Sequence, residues 1–82
     1  MSLIEKAVIE IRSAWNLLFT GIEPPTDSQI AIWIMEHDYK ATKAAIGRAG
    51  RKFRKLNGAM DHEYLSRYIS ALLSKPVTPG IT

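Results

Sequence analysis

Seven cationic side chains fall within the seventeen residues from Tyr39 to Lys55, and no carboxylate lies among them. They are Lys40, Lys43, Arg48, Arg51, Lys52, Arg54 and Lys55, out of eleven lysines and arginines in the whole chain. Ordinary solvated helices interleave both signs, because opposite charges four residues apart stabilise each other. A block of one sign has no such internal use, although a charge run is often no more than a solvated face. On a helical wheel Tyr39, Thr42, Ala45, Ile46, Ala49 and Phe53 form one apolar stripe, and the cations occupy the opposite half. Lys40, Lys43, Arg51 and Arg54 make one line along that half, with Arg48, Lys52 and Lys55 beside it. The chemistry this suits is neutralisation of a polyanion, with nucleic-acid phosphate as the expected ligand. Four phosphate contacts would give a salt slope of about −3.6 on a duplex and about −2.8 on a single strand. Phe53 falls on the apolar stripe, so no platform for stacking bases is expected beside the cations. Contact with the backbone, and little sequence preference, is the corresponding expectation.

The other groups with chemical capacity are His37-Asp38 and Asp61-His62. Two histidines and two aspartates could hold a divalent ion if they met. They bracket the basic stretch, however, and a helix of that length would hold them ~25 Å apart at ~1.5 Å per residue. An HD-type phosphohydrolase needs a further histidine upstream, and none precedes His37. Helix-capping aspartates beside exposed histidines is the reading adopted. No nucleophile–base–orienter set, phosphate-cradling glycine loop or working carboxylate pair is evident, so neither catalysis nor a metal or other cofactor is expected.

Composition sets the frame for these elements. Eighty-two residues with 46% apolar and 23% charged side chains describe one folded domain. The absence of cysteine excludes disulfides and thiolate metal sites and is compatible with a reducing compartment. The longest near-unbroken apolar run, Ile30 to Met35, is far short of the ~20 residues that span a bilayer. The charged N-terminus lacks the apolar core of a signal peptide. A cytoplasmic location is expected. The basic helix has an alanine-rich stripe that would insert poorly into a membrane surface, so no membrane partner is expected.

Four helices are expected, at about 3–19, 27–37, 39–56 and 62–74, giving an all-α bundle. The domain is placed at 1–75, and 76–82, rich in proline, as a flexible tail. Ser2-Leu3-Ile4-Glu5 and Thr26-Asp27-Ser28-Gln29 read as capping boxes, and Asp38 and Asp61 as N-caps. Ile4, Val8, Ile11, Trp15 and Leu18 make the first helix's stripe, with Lys6 and Glu10 paired on its far side. Ile9 and Leu17 fall outside that stripe. They are either ordinary exposed aliphatics or, with Trp15, a surface for a partner protein or a second copy. The second helix, apolar nearly all round, is expected to be the most buried. Trp15, Trp33, Tyr39, Tyr64 and Tyr68 sit at core-like spacings and are assigned to packing. Gly47 and Gly50 interrupt the basic helix at a cost of roughly 1 kcal/mol each. Close helix packing, close approach of a phosphate, and a helix break near Gly50 are all compatible with them.

From Thr26 to Leu73 the pattern resembles the C-terminal helical domain of DnaD-like replication proteins of bacteria and phages. The carrying residues are Trp33, then Tyr39, then Ala45-Ile46-x-x-Ala49, then Tyr68-Ile69-x-x-Leu72-Leu73. The family often places a tryptophan three residues after its final pair, where this chain has Pro76. The resemblance implies a DNA-binding or primosome-associated helical module, usually attached to a winged-helix domain.

Overall fold

A computed structural model of the chain describes residues 2–74. It contains four helices, α1 (Leu3–Leu18), α2 (Asp27–His37), α3 (Tyr39–Lys55) and α4 (His62–Ser74), and no strand among the described residues. The domain is all-α, as its periodicities require. The proposed tail at 76–82 lies outside the described residues.

The helix starts are fixed by side chains that satisfy orphan amides. Ser2 and Glu5 form a reciprocal capping box on α1, with Glu5 Oε1 accepting from the Ser2 amide at 2.8 Å. Thr26 Oγ1 accepts from the Gln29 amide, giving α2 the forward half of the expected box. Asp38 and Asp61 accept from the amides of Ala41 and Tyr64, each at 2.8 Å. Asp38 also carries φ +72°, a left-handed conformation that turns the chain sharply from α2 into α3.

The helices form a diamond in section. α2 and α3 pack on each other and on both remaining helices, whereas α1 and α4 meet through side chains, with the Trp15 and His62 rings 6.3 Å apart. The core between them holds Ile11, Trp15, Phe19, Ile30, Ile46, Leu65 and Ile69, all essentially inaccessible. Both tryptophans satisfy their indole N–H groups while buried, Trp15 on the Ile22 carbonyl at 2.9 Å and Trp33 on Ser70 Oγ at 3.3 Å. Phe19 meets Trp15 at 4.6 Å and Phe53 edge-on at 5.3 Å between ring centroids. Met60, just before α4, and Leu65 within it are both buried in this core.

Three expectations change here. Trp15 is fully buried, so it cannot serve as an exposed contact for a partner. The helix α2 is not the most buried element, because Ile32 and Met35 face solvent. Glu10 does not pair with Lys6 as expected; its carboxylate accepts the Tyr39 hydroxyl at 2.6 Å and so ties α1 to the start of α3.

Candidate nucleic-acid interface

The stripe of α3 that meets the core consists of Thr42, Ala45, Ile46, Ala49 and Gly50, with Tyr39 and Phe53 partly covered. Thr42 is the one buried polar side chain among the described residues, and its hydroxyl donates to the Asp38 carbonyl at 2.8 Å. The helix is unbroken through Gly47 and Gly50, so Arg51 to Lys55 remain helical and not a loop. Lys52, Arg54 and Lys55 occupy its last turn, where positive charge is favourable against the helix dipole.

With α2 beneath and α1 and α4 on either side, the outer half of α3 is left to solvent. Lys40, Lys43, Arg48, Arg51, Arg54 and Lys55 are exposed and Lys52 is half-buried. The seven are therefore brought to one surface, as the wheel required. No carboxylate lies within 4 Å of any of them among the described residues. The two arginines elsewhere are used differently. Arg12 pairs with Asp27 between α1 and α2, and Arg67 pairs with Glu63 at 2.8 Å along α4. The one specific contact of an α3 cation is that of Lys43, whose Nζ lies 5.8 Å from the Tyr39 ring centre. The hydrogen bond to Glu10 raises the Tyr39 hydroxyl above its ordinary pKa. What this face can do is present several N–H donors and no acceptor to an anionic ligand.

The cations have distinct neighbours. Arg54 borders a depression shared with Leu18, Thr20 and Ile22, at the α1 end of the molecule. Arg48 borders another with Leu72 and Leu73 of α4. They mark opposite edges of the exposed arc.

The glycines separate into two cases. A Cβ at Gly50 would stand 3.1 Å from a Leu18 methyl group, so close packing of α1 on α3 accounts for it. A Cβ at Gly47 would meet nothing within 4 Å. Packing therefore gives no reason for Gly47.

Tyr64 is the residue that sequence spacing misplaced. It is 50% exposed and lies 6.4 Å from Tyr68, with Asp61, Glu63 and Arg67 around the same shallow depression. Its place four residues before Tyr68, at the edge of the apolar arc of α4, was the available signal.

The two histidine–aspartate pairs stand at opposite ends of α3. His62 Nδ1 lies 2.7 Å from the Glu23 carbonyl; a carbonyl only accepts, so Nδ1 bears the hydrogen. The contact joins α4 to the α1–α2 connection. Among the described residues no three metal-ligating side chains gather. No helix among them is long and apolar enough to cross a membrane. Comparison with protein-family models, with curated proteins and with solved structures gives no match in any of the three.

Proposed function

We propose that this domain binds nucleic acid, DNA in the first instance, through the outer half of α3, contacting phosphates with little sequence preference. The observation that supports it is the contrast in charge use. Arg12 and Arg67 are matched to carboxylates, while seven cations on α3 face solvent with none. Counterion release on phosphate contact supplies the driving force, and the packed inner stripe holds the cations in register. The DnaD-like pattern adds a setting to this proposal, a cytoplasmic module associated with replication. No catalytic role is part of it.

The test is charge reversal. Arg51→Glu with Lys55→Glu abolishes a mobility shift on DNA while the helical circular dichroism is unchanged. A retained shift in the folded variant contradicts the proposal.

A second reading has its own observation. Leu17 is 82% exposed on α1, and Ile9 is also exposed. They fit a protein-interaction or homodimer surface on α1, now without Trp15. Sedimentation at two protein concentrations separates the readings, since a dimer through α1 is concentration-dependent and survives reversal of the α3 charges.

A further inference from the structure

We infer that the ligand of α3 is a duplex, and that the helix enters its major groove with each flank against one phosphate wall. This rests on the nucleic-acid reading above and goes further by fixing the form of the ligand and the side from which it is approached.

The cations do not lie along one narrow row. Arg54 stands at the edge beside α1 and Arg48 at the edge beside α4. Helical spacing places Lys43 on the Arg54 flank, Lys52 and Lys55 on the Arg48 flank, and Lys40 and Arg51 between them. An extended single strand follows one line and can engage one flank at a time. The major groove is about 12 Å wide and lined by phosphates on both sides, and it admits a helix about 10–12 Å across. A helix with cations on both flanks matches that arrangement.

The midline carries Lys40 and Arg51, with one small residue on each side of it. Ala44 is exposed on the Arg48 side, in the same depression as Leu72 and Leu73, and Gly47, toward Arg54, has open space where a side chain would be. A glycine inside a helix costs roughly 1 kcal/mol relative to alanine, and no neighbour here requires it. Small residues between the central pair and each flank leave room for the phosphate walls to reach the flanking cations. Lys40 and Arg51, on the midline, then face base edges more than phosphates. Neutralising either of them lowers the salt slope less than neutralising Arg48 or Arg54.

The experiment is fluorescence anisotropy with a labelled duplex of about 20 base pairs and the matching single strand, at one salt concentration. The wild-type chain binds the duplex about tenfold more tightly than the strand. Gly47→Leu adds bulk between the midline and the Arg54 flank without changing charge. It weakens duplex binding about tenfold and leaves strand binding nearly unchanged. Ala44→Leu, on the Arg48 side of the midline, repeats the test independently of any backbone effect of replacing glycine, and circular dichroism verifies that each variant is folded. Equal affinity for both ligands, with no effect of either leucine, overturns the groove geometry while leaving phosphate binding intact. A preference for the single strand that is lost in Tyr64→Ala overturns it too, and moves the ligand to the tyrosine pair on α4. Failure to bind either ligand rejects the nucleic-acid reading itself.

Discussion

The outer faces of α1 and α3 belong to helices of nearly equal length, 16 and 17 residues, and both are turned to solvent. They use charge in opposite ways. On α1, Glu5 closes the capping box, Glu10 accepts the Tyr39 hydroxyl and Arg12 reaches Asp27, so three charges are bound into the fold. On α3, seven cations share a surface and none meets a carboxylate among the described residues. Charge on α1 joins the helix to itself and its neighbours; charge on α3 is left for something outside the chain. The comparison also runs the other way for apolar groups, since Leu17 and Ile9 are exposed on α1 while the outer half of α3 has no large aliphatic residue.

The strongest way to sharpen this contrast is to show that the inner and outer sides of α1 differ in kind. Trp15→Ala empties a fully buried site and leaves the Ile22 carbonyl without its donor. Urea unfolding should register a loss of about 3–5 kcal/mol. Leu17→Ala should stay within ~0.5 kcal/mol in the same assay. A large loss at Leu17 would mean that its face is covered in solution, and the comparison would fail on the α1 side.

Next in size is binding. Reversing Arg51 and Lys55 together should weaken DNA binding by about a hundredfold near physiological salt, with stability little changed. Reversing Lys6 on α1 should leave binding within about threefold. Equal losses from the two helices would break the comparison on the α3 side.

Smaller effects come from the join between them. Asp38→Ala removes the N-cap of α3 and puts a β-carbon residue without a capping group at φ +72°. Thermal unfolding should show a loss of about 1–2 kcal/mol. Asp38→Gly should cost less, because glycine tolerates that φ and is itself an acceptable cap. Gly47→Ala should raise stability by about 0.5–1 kcal/mol, since helix propensity improves and the new methyl group meets nothing. At Gly50 the same change gains less, because Leu18 must move aside.

Much of the fold was legible because its signals are local. Four N-terminal caps and the stripes of α1 and α3 place the helices almost to the residue, and the segregation on α3 follows from spacing alone. What spacing cannot give is the identity of the neighbour. Glu10 has Lys6 within reach on its own helix, yet its partner is Tyr39, twenty-nine positions away. Ile30 to Met35 run nearly all round α2, so the wheel could not say that Ile32 and Met35 are the ones left outside. Tyr64 lies at the edge of an apolar arc, where one side chain's exposure depends on how α4 is rolled against α3. The glycines were ambiguous for the same reason. Only the position of Leu18 separates Gly50, which packing explains, from Gly47, which it does not.

The capping box on α1 adds a pH dependence whose sign is fixed. The Ser2 amide and hydroxyl hold the Glu5 carboxyl below its ordinary pKa of 4.5. The stabilisation is therefore complete above about pH 4.5 and lost as the pH falls through the lower folded value. Glu5→Gln should flatten that part of a stability–pH curve, with little effect at neutral pH on binding by α3.

The most direct measurement of the cationic face is the salt dependence of duplex binding in the wild-type chain and in Arg48→Gln and Arg54→Gln. With four phosphates contacted, log K should fall with log salt at a slope of about −3.6, and each variant should be shallower by about 0.9. A slope near zero, unchanged in both variants, would show that these side chains do not meet phosphates and that α3 serves some other purpose.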